Sequence, residues 1–493
     1  MCADPTNKLP EALALAVKAA ESSIVDARRW AELLTDAGHD SDNLLVTQWG
    51  QRLQSDLREA SLSAYLSRLI NEARLEVADL VLAFEERGIA RRGTDNYEEG
   101  LADFNRAIEL DPNRVWSIAG RGETYRLMDR YDEALADLNR AIELDPSYDW
   151  AIARRGLIYQ ELKRYDEALA DFTCAIELDP SADWAIACRG LIYQELMRYD
   201  EALADFTCAI ELDPGADWAI SSRGETYRRM GRYDEALADF TRAIELDPSY
   251  DWAIACRGLI YQELMRYDEA LADFTRAIEL DSSFDWAIGS RGETYRLMGR
   301  YDEALADFTS AIELDPSYDW AIARRGLIYQ KLMRYDEALA DLSRAIEQDP
   351  SYDWAIARRG LIYQELKRYD EALADLNRSI ELDSSYGWVI GSRGETYRLM
   401  GRYDEALAEF NRAIELDPND SVAIGSRGQT YQQFKRYDEA LADLNRAIEL
   451  DPSADWAIAS RSQTYRRMGR YEEALADLNR AAEIGSPPER PAQ

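Results

Sequence analysis

The sequence has few of the residues from which catalytic and metal sites are usually built. Its 493 residues include one histidine, His39, and five cysteines, with no Cys-x-x-Cys spacing and no cluster of cysteine and histidine. Zinc sites and nucleophile–base pairs depend largely on these side chains. The phosphate-binding loop, Gly-x-Ser-x-Gly and His-Glu-x-x-His motifs are also missing. We therefore expect no catalytic residues, no metal and no cofactor, and we expect that the protein is not an enzyme.

Long apolar stretches are missing as well. No run of apolar residues reaches the length of a membrane-spanning helix, and Glu11 interrupts the apolar patch near the start. We expect no membrane association and no secretory signal. The cysteines show no pairing pattern, which indicates free thiols in a reducing compartment. These features predict a cytoplasmic protein.

Basic residues are scarce relative to acidic ones. The chain holds 58 Lys and Arg against 94 Asp and Glu, so its formal net charge is −36. A field of this sign repels nucleic-acid backbones and anionic membranes. We expect partners that are neutral or basic proteins or peptides, and no nucleic acid.

What the sequence does contain is a period of 34 residues. The stretch from Asp149, DWAIARRGLIYQELKRYDEALADFTCAIELDPSA, is written again with small edits from Asp183 and onward. Self-similarity at such a period is typical of solenoid and array proteins. In chain order, repeats 1 to 12 begin at Val81, Val115, Asp149, Asp183, Asp217, Asp251, Asp285, Asp319, Asp353, Gly387, Ser421 and Asp455.

The pattern within one repeat predicts two helices. In the third repeat the first helix covers roughly 150–162, and Lys163–Tyr165 makes the turn. Asp166 is expected to cap the second helix, since its carboxylate can accept from free backbone N–H groups. Apolar residues follow at helical spacing until Pro180 prevents continuation. No strand signal is present.

These positions resemble the tetratricopeptide repeat (TPR). The matching residues of the third repeat are Gly156, Tyr159, Ala168, Phe172, Ala175 and Pro180. The resemblance covers 81–488 and implies an all-α, right-handed superhelical α-solenoid of antiparallel helix pairs. It also implies that the first helices line a concave groove, which in this family usually binds protein segments.

The flanking segments do not share the period. Residues 1–80 are predicted to be an N-terminal helical segment, which either caps the open end of the stack or forms a small adaptor or dimerisation domain. Residues 81–488 hold the twelve repeats, and 489–493 form a proline-containing tail.

One departure from the family recurs in every repeat. Arginine, such as Arg155, stands immediately before the glycine position, where the family usually has leucine. A guanidinium on an inward face needs a partner. An acid such as Asp171 recurs on the second helix, with Glu409 as the one variant. We expect a structural Arg155–Asp171 ion pair, repeated along the chain.

The family's groove positions carry a stripe of tryptophans. It comprises Trp116, Trp150, Trp184, Trp218, Trp252, Trp286, Trp320, Trp354 and Trp388, after which Val422 interrupts and Trp456 resumes. Two interpretations are open. The rings anchor a bound partner, or each ring packs over the seam between neighbouring first helices.

The twelfth residue of each repeat is also a groove position in the family. These residues are Gln160, Gln194, Arg228, Gln262, Arg296, Gln330, Gln364 and Arg398. The arginines follow Gly-Glu-Thr-Tyr, so they either pair with the glutamate within the helix or face an acidic ligand.

Three functions remain open from the sequence. The first is a protein–protein interaction scaffold that binds a partner segment in the groove. The second is a self-assembling structural protein, a dimer or a filament formed through uncovered solenoid ends. The third is a sensor or effector activity in residues 1–80.

Overall fold

The computed structural model describes residues 77–485, which are helical with no strand among them. They fall into two compact units that divide between Pro248 and Ser249. The predictions for residues 1–76 and for the proline-containing tail lie outside the described residues.

Within each unit, helices of two kinds alternate. Odd-numbered helices are the first helices of the repeats, and even-numbered helices are the second helices. The N-terminal unit contains α1 (Val77–Arg92), α2 (Tyr97–Leu110), α3 (Val115–Leu127), α4 (Tyr131–Leu144), α5 (Asp149–Glu161), α6 (Tyr165–Leu178), α7 (Asp183–Glu195), α8 (Tyr199–Leu212), α9 (Asp217–Arg229) and α10 (Tyr233–Leu246). The C-terminal unit contains α11 (Asp251–Glu263), α12 (Tyr267–Leu280), α13 (Asp285–Leu297), α14 (Tyr301–Leu314), α15 (Asp319–Lys331), α16 (Tyr335–Gln348), α17 (Asp353–Glu365), α18 (Tyr369–Leu382), α19 (Gly387–Leu399), α20 (Tyr403–Leu416), α21 (Ser421–Gln433), α22 (Tyr437–Leu450), α23 (Asp455–Arg467) and α24 (Tyr471–Gly485).

The two helices of a repeat run antiparallel. In the last repeat, Arg461 bonds to Asp477, whereas the next residue, Ser462, donates to the carbonyl of Ala474. The partner moves back along α24 as the chain advances along α23, which only an antiparallel pair allows. A short turn suffices to join such neighbours.

Close helix approach explains the glycine that recurs in the first helix. A Cβ at Gly156 would lie 3.2 Å from the ring of Phe172 and 3.3 Å from the Cβ of Asp171. Phe172 and its neighbours Ala168 and Ala175 are buried. Glycine costs about 1 kcal/mol relative to alanine inside a helix, and the tight packing against the second helix offsets that cost.

The capping role predicted for Asp166 is wrong. Helix α6 begins at Tyr165, so Arg164 is at the N-cap position, and its side chain makes no capping hydrogen bond. Asp166 instead lies in the first turn, where its charge complements the positive end of the helix. Lys163, in the turn, has the left-handed backbone conformation (φ 57°) that ends the first helix.

Candidate partner-binding surface

The surface made by the odd-numbered helices, called here the first-helix surface, rests on a repeated arginine network. Arg155 donates through Nε and Nη2 to the two carboxylate oxygens of Asp171, at 2.7 and 2.6 Å. Its Nη1 donates to Oδ1 of Asn139, which belongs to the preceding repeat, at 2.7 Å. Hydrogen bonding to Asp171 raises the pKa of Arg155, so this guanidinium stays charged. One side chain therefore joins three helices.

The same network recurs in both units. The other arginines that bond both carboxylate oxygens of their own repeat's Asp and also a side chain of the preceding repeat are Arg121, Arg189, Arg223, Arg291, Arg325, Arg359, Arg427 and Arg461. Repeat 10 differs, because the longer Glu409 accepts only from Nη2 of Arg393, at 2.6 Å. The Nε of Arg393 is left buried without a hydrogen-bond partner.

The tryptophans predicted to line the groove are mostly half-buried. Trp116 is 46% exposed, whereas the other eight of the uninterrupted stripe are half-buried. Trp320 stacks on Tyr318, with the ring centroids 5.7 Å apart, and its ring reaches Gly289 in the preceding repeat. In this arrangement a tryptophan covers the seam between two first helices.

Three arginines add to this packing by lying between successive tryptophan rings. Arg154 has its guanidinium carbon 5.1 Å from the ring of Trp150 and 4.7 Å from that of Trp184. In the C-terminal unit, Arg324 lies between Trp320 and Trp354, and Arg358 lies between Trp354 and Trp388. Such contacts are favourable because the cation faces the negative side of the ring. Burial lowers the pKa of Arg358, and the neighbouring charge of Arg324 lowers it further.

The twelfth residues of the repeats are mostly engaged within the protein. Arg228, Arg296 and Arg398 bond to the glutamate three residues earlier in the same helix. Gln262 accepts from Thr294, Gln330 donates to Glu365, Gln160 is half-buried and Gln194 is buried. Gln194 and Gln364 differ, since the Nε2 of each is buried without a hydrogen-bond partner in the described part of the chain.

Groups that could support chemistry are sparse on the described surface. Cys188 lies on α7, and burial raises the pKa of its thiol to about 11, which disfavours the reactive thiolate. Residues 77–485 contain no group of histidine, cysteine and acidic side chains that could hold a metal ion. Within the same range, no helix is long and apolar enough to cross a membrane.

A cavity of about 870 Å³ opens on the first-helix surface of the C-terminal unit. It lies along repeats 9 to 12, and its walls include Gln364, Trp388, Glu395, Val422 and Trp456. Cavities of this size are typical of small-ligand and side-chain sites. Three predicted groove positions, at Gln364, Trp388 and Val422, therefore converge here.

The sequence signalled this cavity only in part. The interruption at Val422 was visible, but two further features were missed. Asp420, immediately before repeat 11, stands where Tyr148, Tyr250 and Tyr318 immediately precede repeats 3, 6 and 8, and Gly391 forms part of the cavity wall. The absence of aromatic residues at 420 and 422, together with the glycine at 391, is the sequence pattern from which a cavity could have been predicted.

Comparison with known proteins gives one consistent family. Three family models, each described as tetratricopeptide repeat, match the chain. Their matches cover residues 116–148, 150–182, 184–215, 218–250, 252–284, 286–318 and 320–352 for the first model, 352–419 and 388–453 for the second, and 457–484 for the third. No curated protein matches the sequence.

Solved structures with a similar fold have low sequence identity. A chain of the APC/C hetero-tetramer Cut9-Hcn1 is 14% identical with a TM-score of 0.50, and the match covers 90% of this chain and 93% of that one. A tetratricopeptide repeat protein from Parabacteroides merdae is 20% identical with a TM-score of 0.43, covering 51% and 99% of the two chains. MamA is 22% identical with a TM-score of 0.31, covering 34% and 92%.

Proposed function

Since the chain belongs to the tetratricopeptide repeat family, we propose that it is a scaffold that binds segments of other proteins on its first-helix surface. The observation that carries the proposal is the cavity along repeats 9 to 12, which lies at the family's groove positions. Family membership supports a protein-interaction role in general. The first-helix surface adds a place where a side chain of a partner fits.

The charge of the chain narrows the kind of partner. With a net charge of −36, the scaffold attracts neutral or basic segments and repels nucleic acid. In this proposal the chain works in the cytoplasm and has no catalytic role of its own. The raised pKa of the half-buried Cys188 thiol supports the absence of a catalytic role in this proposal.

The test is to locate a bound peptide on the protein. Random 12-residue peptides displayed on phage are selected on the full chain, and an enriched peptide is resynthesised with a benzophenone photocrosslinker. We expect crosslinks on odd-numbered helices, because those helices form the proposed binding surface. The peptide with its sequence scrambled serves as the control.

Crosslinks that fall on even-numbered helices, or equal crosslinking of the scrambled peptide, would contradict the proposal. The position of the crosslinks tests the scaffold function separately from the cavity, because any odd-numbered helix counts as part of the proposed binding surface. Crosslinks on first helices far from repeats 9 to 12 would leave the scaffold function standing and place the partner elsewhere on the first-helix surface.

Self-assembly is a second candidate function because the last helix exposes apolar side chains. On α24, Tyr471, Leu475 and Leu478 are 69%, 60% and 51% exposed. Their equivalents Leu441 and Leu444, one repeat earlier, are 8% and 0% exposed. Sedimentation velocity over a hundredfold range of protein concentration tests whether the chain self-associates.

An oligomer of the parent protein that the Leu475→Lys substitution converts to a monomer would support self-assembly. A parent protein that is monomeric at every concentration would reject it.

A further inference from the structure

Aromatic rings fill two equivalent slots above glycines on the first-helix surface. A Cβ placed on Gly289 would lie 3.2 Å from Trp320 of the next repeat and 3.3 Å from Tyr318, the last residue of repeat 7. A Cβ placed on Gly425 would lie 2.9 Å from Cζ3 of Trp456, with the ring's Cη2 closer still. In each case glycine leaves room for the indole of the following repeat.

A third slot, above Gly391, has no ring in it. The residue that aligns with Trp320 and Trp456 is Val422, whose side chain is 61% exposed. The only nearby atom that a Cβ on Gly391 would meet is the Cβ of Ala423, at 4.0 Å. The cavity of about 870 Å³ includes this space, with Trp388 and Trp456 in its wall.

The aromatic residue that stands two positions before the tryptophan in repeat 8 is also missing before Val422. Asp420 immediately precedes repeat 11, as Tyr318 immediately precedes repeat 8, and the carboxylate of Asp420 accepts hydrogen bonds from the backbone N–H groups of Val422 and Ala423. This capping fixes the start of α21 without the aromatic contact. The helix is therefore held in place although the ring above Gly391 is missing.

We propose that this cavity binds the tryptophan side chain of a partner's protein segment, which supplies the indole that repeat 11 lacks. The inference rests on the proposed scaffold function and names the side chain that the scaffold recognises. Trp456 shows within the same chain that a single indole fits over a glycine at this position of the first helix. The slot is already formed, so little reorganisation is needed on binding.

Charged groups around the cavity define what flanks the tryptophan. Glu395, Asp417 and Asp420 line it, and Glu395 pairs with Arg398 of its own helix. The side chains of the two aspartates accept hydrogen bonds from backbone N–H groups. A partner with lysine or arginine beside the tryptophan is therefore favoured. The buried Nε2 of Gln364 is placed to donate to a carbonyl of the segment.

Fluorine NMR on a defined probe tests the inference, since the protein's own tryptophans contribute no signal. The probe is N-acetyl-Lys-(5-fluoro-Trp)-Lys-amide, titrated with the full chain. We expect saturable broadening of the fluorine resonance with one site per chain. Replacing both lysines by glutamate should weaken binding about tenfold or more, because the charges then repel.

The decisive variant is Val422→Trp, which fills the slot from within. Tryptophan stands at this position in ten of the other repeats, so the variant should fold as the parent does. It should weaken binding of the probe at least about tenfold, since a buried aromatic anchor is lost. Gly391→Ala should weaken it about threefold through a methyl group on the floor of the slot. Val422→Ala, which leaves the slot open, is the matched control and should bind as the parent does.

Three results would overturn the inference. Unchanged binding by Val422→Trp would place the probe elsewhere and leave the scaffold function standing. Displacement of the fluorinated probe by a peptide with alanine in place of the fluorotryptophan, at the same concentration as unlabelled Lys-Trp-Lys peptide needs, would show that the lysines alone are recognised. Self-association of the parent that Val422→Trp abolishes, measured by sedimentation, would show that a second copy of this chain fills the slot instead of a partner.

Discussion

The arginine before each glycine does more than neutralise an acid. Arg155 bonds Asp171 of its own repeat and Asn139 of the preceding one, all between 2.6 and 2.7 Å. Bidentate guanidinium–carboxylate contacts are among the stronger hydrogen bonds in proteins. Because this side chain joins adjacent repeats, it acts on the contact between neighbours, from which repeat proteins gain much of their stability.

Repeat 10 offers a natural test of this role. Glu409→Asp should restore the two-point contact with Arg393 and satisfy the buried Nε that now lacks a partner. We expect a gain of about 1 kcal/mol, the typical net value of a recovered hydrogen bond. Hydrogen exchange of α19 and α20, followed by mass spectrometry, should show slower exchange in the variant.

The matched control reverses the change one repeat earlier. Asp375→Glu should loosen the two-point contact with Arg359 and speed exchange in α17 and α18 by a similar amount. Faster exchange in both variants would contradict the account, because the length of the acid would then not be the deciding factor.

The sequence predicted half of this network. An arginine and an acid recurred at fixed positions on two helices, so the Arg155–Asp171 pair could be expected from the period alone. The contact to Asn139 could not. Its position holds asparagine, threonine or serine in different repeats, which looks like an ordinary surface position until the two repeats are placed side by side.

At the scale of the helix, equivalent glycines serve different purposes. Gly425 is needed because the ring of Trp456 occupies the space of a side chain there. Gly391 lies at the same position of α19 and has open space above it. We therefore expect the same substitution by alanine to change the stability of the protein in opposite directions at these two glycines.

Alanine substitution separates the two cases. Gly391→Ala should stabilise α19 by about 0.5–1 kcal/mol, because alanine favours the helix and meets no clash. Gly425→Ala should cost about 1–3 kcal/mol, because the new methyl group displaces Trp456. Urea unfolding followed by circular dichroism measures both. A loss of stability in Gly391→Ala would mean that the slot above it is not open.

Helix existence was easier to predict than helix ends. The apolar spacing gave both helices of the third repeat to within a few residues, yet the expected cap at Asp166 was wrong because α6 begins at Tyr165. The turn sequence contains several candidate caps, and the left-handed residue Lys163 decides where the chain changes direction. A backbone angle of this kind has no reliable signature in one sequence.

Across the whole molecule, the acidic charge and the aromatic stripe act at different levels. In the proposed function, the net charge of −36 favours partners of the opposite sign at long range. The tryptophans mostly cover seams between first helices, as Trp320 does over Gly289. Recognition then depends on the place where the stripe is broken, at Val422.

The fold followed from the period, whereas the cavity did not. Twelve copies agree on the positions that build a helix pair, so the family was evident from any one of them. The cavity depends on a difference between copies, since Asp420 and Val422 stand where another copy has the aromatic residues Tyr318 and Trp320. Only the packed structure shows that no other side chain fills the space above Gly391.

The most direct test of the central claim is to build a second slot in the same chain. Repeats 7 and 10 share the first-helix sequence Ile-Gly-Ser-Arg-Gly-Glu-Thr-Tyr-Arg-Leu, so Tyr318→Asp together with Trp320→Val should recreate over Gly289 the gap that exists over Gly391. The fluorotryptophan peptide should then bind with two sites per chain instead of one, while the circular dichroism spectrum stays helical. A folded double variant that still binds one peptide would contradict the claim that a missing indole over a glycine makes the site.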